Sequence, residues 1–164
     1  MGAGRNLGAA ALLAIAASCG PRHAPGAPAT VVVVDDAQRG PGLEQFNFIG
    51  HWERIRGRRD GRAAGTSTRS PHPGDSFAIA FRGYRFRLYG VSGPNGGRGI
   101  LDLDNNGTAT TLDFRSPRKR THVLLYTSPV LAEGLHGIAV IVDAPRLHAP
   151  RAYVNIDSIE IDTR

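Results

Sequence analysis

Residues 76–89, SFAIAFRGYRFRLY, decide the fold class of this chain. Large apolar residues occupy every second position in both halves of this stretch, with alanine or arginine between them. A side-chain period of two is that of a β-strand, whose alternate residues point to opposite faces of a sheet. The stretch therefore predicts two half-buried strands. Their apolar faces consist of Phe77, Ile79, Phe81, Tyr84, Phe86 and Leu88.

Similar strand signals occur on both sides of this stretch. They lie in residues 31–34, 46–49, 99–104, 108–114, 121–127, 137–142 and 152–161. Asn105-Asn106-Gly107 is a hairpin turn signal, because both central residues of a type I′ turn need positive φ. About nine strands joined by turns predict an all-β protein, an antiparallel β-sandwich over residues 30–164. The polar residues 57–74 predict a long loop within it.

Composition excludes several classes of protein. The 21 glycines and 11 prolines among 164 residues argue against a helical bundle, and a single cysteine excludes a disulfide framework. The net charge of +6 permits an anionic partner. The arginines alternate with acids and no aromatic-basic platform is evident, so nucleic-acid binding is not expected.

The first 29 residues predict export. An apolar run, Leu7–Ala17, follows Arg5 and is as long as the core of a signal peptide. The small residues before Cys19 resemble a bacterial lipobox, which implies a lipoprotein signal peptide at 1–18 and acylation of Cys19. An ordinary secretory peptide is the alternative. The Pro-, Gly- and Ala-rich residues 19–29 predict a tether. We therefore expect an exported protein, lipid-anchored to the bacterial membrane and facing the periplasm or the cell exterior.

The order of short motifs along residues 31–161 resembles that of galactose-binding-like jelly rolls, the carbohydrate-binding modules of bacterial secreted enzymes and surface proteins. The motifs are Val34-Asp35-Asp36, Trp52, Pro73-Gly74-Asp75, Phe77–Gly83, Leu88-Tyr89-Gly90, Pro94–Gly97, Leu103–Gly107, Leu131–His136 and Val154–Ile159. One departure is Leu135, which separates the glycine of the family's turn from His136. The resemblance implies a jelly roll that binds carbohydrate without catalysis.

Five residues are candidates for a carbohydrate site, because aromatic faces stack on sugar rings and planar polar groups fix the hydroxyls. They are Trp52, Arg54, Tyr89, Asn95 and Tyr126. Tyr89 and Tyr126 take the polar-facing positions of their strands. Each candidate has a structural alternative: a half-buried edge residue for Trp52, cross-strand packing for the tyrosines, a turn former for Asn95.

Asp35, Asp36 and Asp157 are candidate metal ligands. The first and last strands are commonly neighbours in jelly rolls, and related modules hold a structural calcium there, so the resemblance implies one here. Calcium takes carboxylate and carbonyl oxygens, although the chain has no loop of EF-hand spacing.

No catalytic set assembles in the sequence. Gly74-Asp75-Ser76 matches the start of an esterase signature, but that family needs an Asp and a His two residues apart, whereas Asp143 and His148 are five apart. The prediction is a non-enzymatic, lipid-anchored envelope protein that binds glycan or cell-wall polysaccharide. A protein-binding or structural envelope lipoprotein is the alternative, and an accessory domain of a carbohydrate esterase is a third reading.

Overall fold

A computed structural model describes residues 29–57, 61–143 and 151–164. The predicted signal peptide, Cys19 and nearly all of the predicted tether lie outside the described residues. The described residues form eleven strands: β1 (Thr30–Asp35), β2 (Asn47–Ile49), β3 (Glu53–Arg56), β4 (Thr66–Ser70), β5 (Ser76–Gly83), β6 (Arg85–Ser92), β7 (Arg98–Leu103), β8 (Ala109–Asp113), β9 (Arg120–Thr127), β10 (Gly134–Val142) and β11 (Val154–Thr163). A three-residue 3₁₀ turn, Ala63–Gly65, precedes β4. No helix in the described part of the chain is long and apolar enough to cross a bilayer.

The strands form two antiparallel sheets, which confirms the predicted all-β sandwich. Sheet I has the order β3-β4-β11-β6-β9, and β1 pairs with the C-terminal half of β11. Sheet II has the order β2-β5-β10-β7-β8. The two strands predicted from residues 76–89 lie in different sheets: β5 belongs to sheet II and β6 to sheet I.

The core lies between the sheets and follows the predicted alternation. Phe77, Ile79 and Phe81 from β5 are at most 2% exposed, and Phe86 and Leu88 from β6 are fully buried. Burial of a side chain of this size is worth roughly 2–3 kcal/mol relative to leaving it in water. The two alternating runs thus supply facing layers of one hydrophobic core.

The strand count predicted from sequence was too low. Two of the eleven strands, β3 and β4, were not predicted, and β4 lies inside the segment 57–74 that was predicted to be a loop. β4 reads TSTRS and has no apolar residue, yet four of its five residues are buried. The hydroxyls of Thr66, Thr68 and Ser70 donate hydrogen bonds to carboxylates, and that of Ser67 accepts one from Arg62. These bonds satisfy the buried polar groups, and a search for apolar alternation cannot detect such a strand.

Five connections lie at one end of the sandwich, which we call the loop end. They are residues 50–52, 71–75, 93–97, 114–119 and 143–153, of which the structure describes all but 144–150. Strand pairing places them together, since Ile49 and Ile141 both pair with Ser76 at the start of β5. Arg98 at the start of β7 likewise pairs with Asp113 at the end of β8, which places the connections 93–97 and 114–119 side by side.

At the opposite end of the sandwich, the side chain of His136 bridges Asp104 and Ala132. Its Nδ1 lies 2.8 Å from Asp104 Oδ2 and its Nε2 lies 2.8 Å from the carbonyl oxygen of Ala132. Burial alone would lower the pKa of His136, but the hydrogen bonds to Ala132 and Asp104 and the nearby negative charges outweigh it, so the pKa is raised. Both partners are acceptors, so both ring nitrogens donate only when the imidazole is protonated.

We expect His136 to make the stability of the fold pH-dependent. Because its pKa is raised in the folded state, its contribution is fully present below the unfolded value of about 6.5 and is lost as pH rises through the folded value. Urea denaturation of wild type and His136→Gln between pH 5.5 and 8.5 measures the difference, expected to shrink by on the order of 1 kcal/mol with rising pH. A constant difference across this range would contradict the assignment.

Candidate functional site

A cleft of about 560 Å³ opens at the loop end. Three connections and the start of β3 contribute to its walls. The lining residues are Gly50, His51, Trp52, Glu53, Pro71, His72, Arg151 and Tyr153. Two aromatic rings and several groups that donate or accept hydrogen bonds therefore face one concave surface.

Trp52 is held in place by its surroundings. The indole N–H donates to the carbonyl oxygen of Ile49 at 3.0 Å. The ring centroid lies 5.0 Å from that of Phe48 and 5.9 Å from that of Phe77, at the edge of the core. Because the N–H already has a partner, the half-buried Trp52 offers the cleft its ring surface and no free donor.

The chain turns sharply before Trp52 because of Gly50 and Asp75. Gly50 has φ of +99°, a conformation that side chains rarely adopt, and a Cβ there would collide with the Asp75 carboxylate. Asp75 is buried, and its Oδ2 accepts from the backbone N–H of His51 at 2.9 Å and the hydroxyl of Ser70 at 2.5 Å. The acid of the esterase-like Gly74-Asp75-Ser76 motif therefore braces this turn.

Tyr153 is fixed by its backbone and by an arginine. Its N–H donates to the carbonyl oxygen of Asn95 at 2.9 Å, and its carbonyl accepts from Gly97 N–H at 2.8 Å. The Arg69 guanidinium lies 4.3 Å from the centroid of the Tyr153 ring and pairs with Glu53 at 2.8 Å. A cation–π contact and an ion pair thus set the position of one cleft wall.

Of the five predicted ligand-binding residues, the structure brings two to the loop end. Trp52 lines the cleft. Asn95 is exposed there and supports Tyr153 through its carbonyl oxygen. Arg54 lies on β3. Burial raises the pKa of Asp35, and the charge of Arg54 opposes this effect without cancelling it.

Tyr89 and Tyr126 do not share a surface with each other or with Trp52. Tyr89 lies on the outer face of sheet I, where its ring stacks on His122 with centroids 4.4 Å apart and its hydroxyl donates to Glu160 at 3.1 Å. Tyr126 pairs with the buried Leu88 and packs against the core. The polar-facing position predicted for Tyr126 was wrong, because a bulge in the β6–β9 pairing inserts one residue before it and reverses the alternation.

Sequence reasoning missed most of the cleft. Tyr153, His51, His72 and Arg151 were not predicted as site residues, although all four line it. Tyr153 carried a weak signal as an aromatic residue at the head of the last strand. The remaining three stand in loops, and only the antiparallel pairing of distant strands brings those loops together.

The predicted metal ligands form a second cluster, the acidic cluster, made of Asp35, Asp36 and Asp157. One oxygen from each lies within 4.8 Å of the others. The pairing of β1 with β11 confirms that the first and last strands are neighbours.

Hydroxyls and backbone N–H groups partly satisfy the acidic cluster. Asp36 accepts hydrogen bonds from Thr66 at 2.6 Å and Thr68 at 2.5 Å. Asp157 accepts from the N–H of Ala63 at 2.9 Å, and its other oxygen lies 2.9 Å from His122 Nδ1. Asp35 Oδ2 is buried without a hydrogen-bond partner.

Burial raises the pKa of Asp157 to about 6 and also raises the pKa of Asp35. For Asp157, hydrogen bonds from His122 and Ala63 oppose this effect without cancelling it. Charged carboxylates buried side by side need a cation or a proton as compensation.

No protein-family model and no curated protein matches this sequence. Solved structures do. A family two carbohydrate esterase from Cellvibrio japonicus matches with a TM-score of 0.56 and 18% identity, over 83% of this chain and 34% of the esterase. The GH26-CBM35 β-(1,4)-mannanase of Podospora anserina matches with a TM-score of 0.54 and 15% identity, over 81% of this chain and 27% of the mannanase.

A CBM36 domain from a multidomain xylanase, found in the hindgut metagenome of Trinervitermes trinervoides, matches over 80% of this chain and 95% of its own length. Its TM-score is 0.50 and its identity 17%. The chain therefore spans about a third of the esterase and nearly the whole length of the CBM36 domain. The described fold is a jelly-roll sandwich like those of carbohydrate-binding modules.

Proposed function

We propose that this domain is a non-catalytic module that binds carbohydrate in the cleft at the loop end. The observation that carries the proposal is the presence of two fixed aromatic rings, Trp52 and Tyr153, beside polar side chains on one concave surface. Apolar ring surface stacks on the C–H faces of sugars, and the polar groups around it hydrogen-bond the hydroxyls. Rings that are already fixed lose little entropy on binding.

The similar structures support a carbohydrate-related role. One match is a CBM36 domain from a xylanase, another is a mannanase with a CBM35 module, and a third is a carbohydrate esterase. The esterase match also supports a second arrangement, in which this module acts beside a separate carbohydrate esterase.

Two observations favour binding over catalysis in the described residues. Asp75 is committed to Ser70 and to the backbone of His51, so it does not activate Ser76. The pair formed by the exposed His122 and the buried Asp157 has no serine, threonine or cysteine side chain hydrogen-bonded to it, and a nucleophile needs an adjacent base. His148 lies outside the described residues.

The alternative of a protein partner held by an arginine face receives less support. Such a surface would use Arg82, Arg85 and Arg87. Arg82 is exposed on β5 in sheet II, apart from the other two, which are neutralised on the outer face of sheet I. Arg85 pairs with Asp162 at 2.6 Å, and Arg87 pairs with Glu160 at 2.8 Å and with Asp162 at 2.7 Å. An acidic partner would have to displace ion pairs that are already satisfied.

We also propose that the acidic cluster holds a structural calcium ion. The donor set is all oxygen, and the buried Asp35 Oδ2 without a partner fits a cation that would complete it. Asp35, Asp36 and Asp157 would supply the carboxylates. The ion would supply the positive charge that these buried groups lack.

The cleft proposal predicts that Tyr153→Ala weakens glycan binding about tenfold, because one stacking surface is lost. Affinity electrophoresis against neutral and acidic polysaccharides, followed by calorimetry with the best ligand, measures it. Trp52→Leu should have a similar effect, with circular dichroism confirming the fold. Tyr89→Ala is the matched aromatic control. Loss of binding in Tyr89→Ala but not in Tyr153→Ala would place the ligand on the outer face of sheet I instead.

The calcium proposal predicts that Ca²⁺ raises the melting temperature at pH 7 by about 5 °C over EDTA. In EDTA we expect the free energy of unfolding to fall as pH rises from about 4 to about 6. Because the pKa of Asp157 is raised, the folded state holds this proton more tightly than the unfolded state does. This pH dependence is the opposite of ordinary acid denaturation. Asp157→Asn should remove both effects, and Asp113→Asn, an exposed acid in sheet II, should leave them. Equal melting temperatures with and without Ca²⁺ would exclude the ion.

We propose, finally, that the module is exported and held on a membrane by acylated Cys19. Metabolic labelling with palmitate should mark the wild-type protein, and Triton X-114 should extract it into the detergent phase. Cys19→Ser should abolish both, because a diacylglyceryl anchor needs the thiol. Labelling that survives in Cys19→Ser would place the anchor elsewhere.

A further inference from the structure

We propose that the cleft at the loop end selects sugar residues that carry a carboxylate, so that the ligand is an acidic, uronate-containing polysaccharide. This inference rests on the proposed carbohydrate-binding function and names the chemical class of its ligand. Two observations support it: which charged side chains line the cleft, and which of these side chains already have an ion pair or hydrogen bond within the protein.

The basic side chains that line the cleft have no ionic partner among the described residues. Arg151 is exposed and makes no ion pair with any described residue. His51 and His72 face each other with ring centroids 5.6 Å apart. Their ring nitrogens have no hydrogen-bond partner among the described residues. One guanidinium and two imidazoles are therefore available to a ligand.

The carboxylates in and beside the cleft, in contrast, already have partners: Glu53 lines the cleft, and Asp75 lies buried next to it. Both Nε and Nη2 of Arg69 donate to Glu53 Oε2, at 2.9 and 2.8 Å. Asp75 is 8% exposed, and its Oδ2 accepts two hydrogen bonds from within the protein. Neither carboxylate is therefore free to pair with Arg151, so this guanidinium remains available to an anionic group of the ligand.

The aromatic walls leave polar recognition to these basic side chains. The Trp52 N–H is used by Ile49, and one face of Tyr153 is covered by Arg69. A sugar stacked on Trp52 or Tyr153 would therefore find its strongest donors in Arg151 and the two histidines. A guanidinium matches a carboxylate with two parallel hydrogen bonds, and charge-assisted bonds are about twice as strong as neutral ones.

The experiment compares each acidic polysaccharide with its own carboxyl-reduced form, so that only the charge differs. Polygalacturonate, alginate and glucuronoxylan are titrated against the detergent-solubilised full-length chain by calorimetry. We expect at least one acidic polymer to bind about tenfold more tightly than its reduced form, with the preference falling as NaCl rises from about 50 to about 500 mM. Equal affinity within every pair would overturn the inference and leave the proposed function standing. Failure of every acidic and neutral polymer to bind would overturn both.

A charge-matched pair of variants separates a specific contact from general attraction to a basic protein. Arg151→Gln should weaken binding of the acidic polymer far more than binding of the reduced polymer, so that most of the preference is lost. Arg82→Gln removes the same charge from the exposed face of β5, away from the loop end, and should change neither. Equal losses in the two variants would show non-specific charge attraction and would overturn the inference.

Discussion

The central position of β11 is the constraint on which the rest of this structure depends. Three strands pair with it: β6 along one edge, and β1 and β4 along the other. Its inward residues Ile156, Ile159 and Ile161 are fully buried in the core. A register shift between Ile156 and Ser158 inserts Asp157 into this apolar strand, so the same strand places a carboxylate beside the acids that end β1.

The polar strand β4 connects the acidic cluster to the cleft. Thr66 and Thr68 donate to Asp36 in the cluster, whereas Arg69 holds Tyr153 and Glu53. Ser70, the next residue, donates to Asp75, which braces the turn before Trp52. A strand of only five residues therefore fixes groups at both sites, and its stability depends on buried hydrogen bonds rather than apolar contacts.

The sequence predicted the parts of the site that rest on local patterns and missed those that rest on distant pairing. Trp52 and the three acids were identified from motif order, and the alternation of β5 and β6 gave the core faces correctly. Tyr126 was misplaced because a residue inserted in β9 next to it reversed the alternation of its strand. β4 was missed because its burial is satisfied by hydroxyl–carboxylate bonds, which have no hydrophobic period.

By itself, the sequence determined the all-β class, the sandwich and the apolar faces of its main strands, since a period of two is a local property of the backbone. Only the tertiary structure decided which loops meet. His51, His72, Arg151 and Tyr153 are scattered over about a hundred residues of chain, and no local pattern connects them. The antiparallel return of each strand to the same end of the sandwich brings them to one cleft, because pairing fixes where every connection lies.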